Sequence, residues 1–160
     1  MSGRRTFSYP LRIVTGQEMA SIDRTSIDER GISGLFLMEK TGEGIARGLL
    51  SSFSSTHLHK TAIVCGKGNN GGDGFVVARL LHDAGYTPQV ALLGDVDELK
   101  GDAETNGWKL LEQGIPIFEC EDEDAVHLFF EQASDSAIWI DAMLGTGAKG
   151  APRGLYNVAV

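Results

Sequence analysis

From residue 61 onward the chain alternates short apolar runs with amphipathic stretches of helical length. The runs at residues 61–65 (Thr-Ala-Ile-Val-Cys), 89–93 (Gln-Val-Ala-Leu-Leu), 115–118 (Ile-Pro-Ile-Phe) and 137–140 (Ala-Ile-Trp-Ile) are continuous rather than alternating. That pattern predicts strands covered by helices on both faces. All four read as central or nearly so. Residues 74–84, 102–113 and 123–133 predict crossover helices, which join parallel strands in the right-handed sense. The expected fold class is α/β, a doubly wound, mostly parallel sheet in a three-layer α/β/α sandwich.

Ahead of this region the pattern is helical. Thr15 and Glu18 have capping-box spacing, so a helix starts there, carries Met19, Ile22 and Ser26 on one face, and stops near Gly31. Residues 33–50 predict a second helix, with Leu35, Met38, Ile45 and Leu49 near helical spacing. Gly42, Gly44 and Gly48 each cost it about 1 kcal/mol against alanine, which suggests that they serve close packing. Residues 1–13 read as a disordered or loosely attached arm, and residues 14–160 as one domain.

A length of 160 residues fits that count. Fourteen basic against 22 acidic side chains leave a net charge of −8, which removes nucleic acid from the expected partners. Any anionic ligand must be held locally. No run approaches the ~18 apolar residues of a membrane span, and the first ten residues lack an apolar signal core. The expectation is a cytoplasmic protein with no membrane partner. Cys65 and Cys120 form no CxxC pair and read as small buried hydrophobes; His57, His59, His82 and His127 lack metal-ligand spacing and read as surface residues. The acidic run at residues 121–124 reads as the solvated first turn of a helix. Glycine is the departure, with 21 in 160 residues against an average of about 7%.

Much of that glycine lies in two segments. Residues 66–74 (Gly-Lys-Gly-Asn-Asn-Gly-Gly-Asp-Gly) connect the first strand to the next helix. Glycines there admit positive φ and close backbone approach, and amides at a helix N-terminus hold phosphate or pyrophosphate. The segment fails the Walker pattern, because Lys67 stands near its start and no Gly-Lys-Ser/Thr closes it, and it lacks a strict GxGxxG. Asn69, Asn70 and Asp73 add oxygens able to coordinate a hard cation, where turn support is the blander alternative. The second segment, residues 141–153, follows the last strand. Asp141 sits at a strand carboxyl end, the edge where open parallel sheets bind ligands. It can ligate a cation, orient a hydroxyl, exchange protons or cap the following segment. Lys149, Arg153 and Thr146 divide evenly between ligand contacts and plain loop residues.

Together these segments resemble the NAD(P)HX epimerase family, the YjeF N-terminal domain type. Residues 14–19 (Val-Thr-Gly-Gln-Glu-Met), Asp23 and residues 31–39 (Gly-Ile-Ser-Gly-Leu-Phe-Leu-Met-Glu) resemble that family's opening helices, so the likeness covers the chain from Val14 onward. The resemblance implies a Rossmann-like isomerase of metabolite repair that interconverts the R and S forms of hydrated NADH and NADPH (NADHX and NADPHX) at C6 of the altered nicotinamide ring. It implies a substrate site formed by Asn69, Asn70, Gly71, Gly72 and Asp73 with Gly145, Thr146, Gly147, Ala148, Lys149, Gly150 and Ala151. It also implies a potassium ion held by Asn70 and Asp141, and a homodimer formed through the N-terminal helices. A cation between oxygen donors would neutralise a pyrophosphate locally in an acidic protein.

The chain departs from the family twice. Residues 38–42 are Met-Glu-Lys-Thr-Gly where the family usually has Met-Glu-Asn-Ala-Gly, which puts Lys40 and Thr41 at positions normally neutral and small. The family's Asp-x-Pro-Ser-Gly motif, whose Asp contacts substrate and whose Ser completes the cation site, is absent. The chain therefore reads as a C-terminally incomplete domain whose last strands are missing and whose final residues, 154–160, are an interrupted helix. Some relatives carry a fused C-terminal ADP- or ATP-dependent dehydratase.

Inversion at a carbon bearing a hydroxyl beside a ring nitrogen needs the hydroxyl to leave and return, or the ring to open and close. Either route needs one acid–base group, for which Asp141 is the first choice and Asp73 the second. Two other classes compete with the epimerase. One is a non-catalytic nucleotide-binding or scaffold module of the same fold. The other is an NAD-dependent oxidoreductase, disfavoured because the fingerprint is wrong and only Asp95 stands near the end of the second strand.

Overall fold

In the computed structural model, which describes residues 14–160, four strands form one parallel sheet: β1 (Thr61–Cys65), β2 (Gln89–Leu92), β3 (Ile117–Glu119) and β4 (Ile138–Ala142). The arm expected over residues 1–13 falls outside the described residues. The strand order is β3-β2-β1-β4, so the winding reverses at β1. Cys65 is level with Leu92 on one side and Ala142 on the other, which sets the C-terminal ends of β1, β2 and β4 side by side. A ligand crevice belongs at such a reversal.

Only β1 and β2 are central. β3 and β4 are edges, which corrects the expectation that all four strands are interior. β1 is buried at all five positions, whereas Trp139 on β4 is 42% exposed. An apolar run can form an edge here because Phe130 shields it, its ring stacked on the Trp139 indole at 5.0 Å and 6°. β3 starts later than its apolar run, since Pro116 has no N–H for the ladder. β4 extends through Asp141, which therefore lies in the strand.

Among the described residues seven α-helices surround the sheet: α1 (Gly16–Asp28), α2 (Gly34–Ser52), α3 (Ser55–Leu58), α4 (Asn69–Asp83), α5 (Gly101–Glu112), α6 (Glu123–Gln132) and α7 (Leu155–Val158). Helices α4 and α5 cover one face, around Ile63, Phe75, Leu81, Leu92 and Leu110. Helices α6 and α7 cover the other, around Val64, Leu93, Val126 and Phe129. α1 opens with the capping box: the Thr15 N–H donates to Glu18 Oε2 at 2.6 Å and the Glu18 N–H donates to Thr15 Oγ1 at 3.2 Å. None of its residues is buried. α2 packs on α4, and of Gly42, Gly44 and Gly48 only Gly42 is needed there, because a Cβ would collide with Val76; Gly44 and Gly48 face open space. Lys40 is exposed, paired with Glu43 at 2.7 Å and placed over the Phe36 ring, so its departure from the family leaves the core untouched. Both cysteines are buried, all four histidines are exposed, and Asp122 caps α6. No described helix is long and apolar enough to cross a membrane.

The main departure from the sequence reading is where α4 begins. It starts at Asn69, five residues before the expected Gly74, so most of the presumed glycine loop is helix. None of Gly66, Gly68, Gly71, Gly72 or Gly74 has positive φ. Several of these glycines serve contact instead. A Cβ on Gly71 would overlap the Gly66 carbonyl oxygen. One on Gly72 would lie 2.6 Å from Met38 Sδ, and one on Gly74 2.7 Å from both Cys65 Sγ and Ala142 Cβ. The first turns of α4 rest directly on the strand ends, an approach that side chains forbid.

Candidate functional site

The crevice at the winding reversal is a cleft of about 660 Å³, within the usual range of roughly 300–1,000 Å³ for small-ligand pockets. One wall is the start of α4, with Gly68, Asn69, Asn70 and Asp73; the other is the loop after β4, from Met143 to Ala148. Met19 and Asp23 of α1, Thr41 of α2 and Tyr156 of α7 complete it. The two main walls touch, for the Asn70 side-chain amide donates to the Leu144 carbonyl at 3.3 Å. α1 meets the loop where Gly16 lies against Thr146.

Of the residues singled out from sequence, Asn69, Asn70, Asp73, Gly145, Thr146, Gly147 and Ala148 line this cleft. Gly71 and Gly72 are buried behind it, and Lys149, Gly150 and Ala151 are exposed beyond it. Asp141 stands on the adjacent strand, outside the lining, where its Oδ1 accepts the Met143 N–H at 2.9 Å and shapes the start of the loop. Sequence reasoning does not select Met19, Asp23, Thr41 or Tyr156. Met19 and Asp23 do carry a local signal, since their i,i+4 spacing places them on one face of α1. Tyr156 carries none: only the path of the chain beneath the sheet edge brings it there.

The lining contains two carboxylates and no Lys, Arg or His. Burial, and secondarily the charge of Asp23, push the Asp73 carboxyl from an ordinary 3.8 up to about 6. Lys67 is paired with Glu98 at 3.0 Å, and hydrogen bonds from the Asp95 N–H and Lys67 hold that carboxyl below its usual range. An anion in the cleft must therefore rely on neutral donors: side-chain amides and hydroxyls of the lining, and backbone N–H groups. The start of α4 supplies them, because Gly68 at its N-cap offers no side-chain hydrogen bond to the first turn, where the helix dipole favours negative charge. The donor set also fits an alkali cation. With its NH2 on Leu144, Asn70 presents its amide oxygen, and Asp141 retains a second carboxylate oxygen. Among the described residues no group of three His, Cys, Asp or Glu side chains is placed to hold a metal ion, so oxygens of mixed type are what the site offers.

A family profile described as YjeF-related protein N-terminus matches residues 34–160. The chain is similar to the NAD(P)H-hydrate epimerase of Pirellula staleyi, 36% identical over 149 residues that span 93% of this chain and 64% of that protein. It is similar as well to the bifunctional NAD(P)H-hydrate repair enzyme Nnr of Thermofilum pendens, 33% identical over 150 residues, or 94% of this chain and 28% of that protein. The crystal structure of yeast ynu0 (YNL200c) matches with a TM-score of 0.71 at 25% identity, over 89% of this chain and 60% of that one. The chain thus spans less than two thirds of each of these relatives.

Proposed function

The chain belongs to the YjeF-related protein N-terminus family, and on that premise we propose that it is an NAD(P)H-hydrate epimerase whose cleft binds hydrated NADH or NADPH and inverts C6 of the altered ring. One observation carries the reading. A cleft of about 660 Å³ joins an uncapped helix N-terminus to a half-buried aspartate whose carboxyl is pushed up to about 6, with no basic side chain in its lining.

We assign the acid–base role to Asp73 rather than Asp141, because Asp73 faces the cleft and its environment favours the protonated form. The Asp73 carboxyl gives its proton to the C6 hydroxyl. The C–O bond breaks with its electron pair going to oxygen, water departs, and the ring nitrogen lone pair stabilises the cation left at C6. Water then adds to the opposite face and returns a proton to the Asp73 carboxylate, so the enzyme ends as it began. The N–H groups of the first α4 turn hold the diphosphate, and Asn70, tied to Leu144, fixes the separation of the two walls. Asn70 and Asp141 would hold potassium, which supplies the positive charge that the side chains lack. The Rossmann-like description of the sandwich and a homodimer through α1 and α2 belong to the same reading.

The test is epimer exchange. Chromatographically resolved R-NADHX, incubated with the purified full chain in potassium buffer, is expected to relax to the R/S mixture faster than in buffer alone. Cation-dependent nucleotide binding without exchange would sink the proposal in favour of a non-catalytic binding module.

A further inference from the structure

Tyr156 is placed as no other cleft residue is. It rises from α7 on the far side of the sheet from α4 and lines the cleft from below. Its hydroxyl oxygen accepts the backbone N–H of Lys67 at 3.2 Å, and its ring edge lies against Gly66, where an added Cβ would come within 3.0 Å of Cε1. The phenol is thus fixed by the turn that leads into α4. A phenol oxygen that accepts through a lone pair still has its own proton to give, and among the described residues no acceptor takes it. An incoming N–H bond also polarises the O–H, making it a better donor. The lining has no cationic side chain, so an O–H beside the helix N-terminus adds to the donors available for an anion.

We propose that the Tyr156 hydroxyl donates its proton in a hydrogen bond to a phosphate oxygen of the bound dinucleotide while its oxygen stays on the Lys67 N–H. Tyr156 is then a substrate-binding residue of the cleft, one that neither the glycine segments nor the aspartates reveal. The inference rests on the cleft being the substrate site and adds a named donor to it.

The experiment uses the full chain with ADP-ribose, which carries the diphosphate, and adenosine, which does not. Tyr156→Phe is expected to weaken ADP-ribose binding about tenfold in calorimetry, to leave adenosine unchanged, and to raise KM for NADHX with kcat little altered. Because this variant also removes the acceptor for the Lys67 N–H, a second one separates the two roles. A fluorinated tyrosine at position 156, studied below its ionisation, is a stronger donor and a weaker acceptor than tyrosine. Donation to phosphate predicts tighter ADP-ribose binding in the fluorinated protein; an oxygen that only anchors the turn predicts weaker binding. Weaker or unchanged binding there, or no effect of Tyr156→Phe, overturns the proposal, as does failure of the wild-type chain to bind ADP-ribose. Binding of ADP-ribose that responds to both variants without any epimer exchange upholds Tyr156 as a donor and sinks only the epimerase reading.

Discussion

The two main walls of the cleft are built on different terms. The α4 wall stands on a core: Gly71, Gly72, Gly74, Phe75, Val76, Val77 and Ala78 are all buried, and beneath them every residue of β1 is buried too. The facing wall has no such support. The loop is exposed from Leu144 through Ala151, and α1, which leans on it at Thr146, buries none of its residues. Asn70 and Asp73, the groups to which the proposed function gives the most exacting positions, thus sit on the stiff side. The side that would open to the proposed substrate is drawn from the part of the molecule with least to lose on opening.

This contrast can be broken most directly with glycine. Gly71→Ala drives a methyl into the Gly66 carbonyl oxygen and is expected to cost more than about 3 kcal/mol in urea unfolding, whereas Gly147→Ala, with nothing near its Cβ, should stay within about 0.5 kcal/mol. Equal costs would erase the distinction between the walls. Next in size, Asp73→Asn should slow epimer exchange at least about a hundredfold while stabilising the fold at neutral pH. The sign follows from the raised carboxyl. Folding favours the protonated acid, so the wild type loses stability as pH climbs from near 3.8 through about 6, and the neutral amide escapes that loss. Thermal melts of the two proteins should converge below pH 4 and separate above pH 6, with the variant higher.

A finer test asks whether the pliant wall acts on the stiff one. Asp23 faces Asp73 from α1, and Asp23→Asn removes a charge that favours the protonated acid. The fall of kcat/KM as pH rises is then expected to begin about half a pH unit lower, and Asp23→Glu should restore it. Smallest of all, Lys149→Ala, in the exposed stretch beyond the lining, should leave kcat/KM within about twofold; a larger drop would extend the cleft along the loop.

The strands and most helices are legible in the sequence because burial on both faces leaves continuous apolar runs, as at Thr61–Cys65. The start of α4 is not legible. Glycine serves positive φ and close contact alike, and nothing local tells Gly71, pressed on a carbonyl, from Gly94, which does take a left-handed φ of 138°. Edge strands are hidden for a related reason: Trp139 looks like core until Phe130 is seen to cover it. The glycine-rich halves of the site are readable because their polar groups are contiguous in the chain. Asp23, Thr41 and Tyr156 reach the cleft from three other helices, and only the reversal of winding at β1 explains why they meet.

The β4 indole stacked on Phe130 of α6 also gives the protein an optical readout. Trp139 and Asp141 lie two residues apart and so project from the same side of that strand, the indole flat against Phe130. With the chain's other tryptophan, Trp108, replaced by phenylalanine, all indole emission would come from the strand that carries the expected potassium ligand. A potassium titration followed by that emission is therefore a label-free test of the proposed ion site: a change in fluorescence supports it, and a flat response speaks against it.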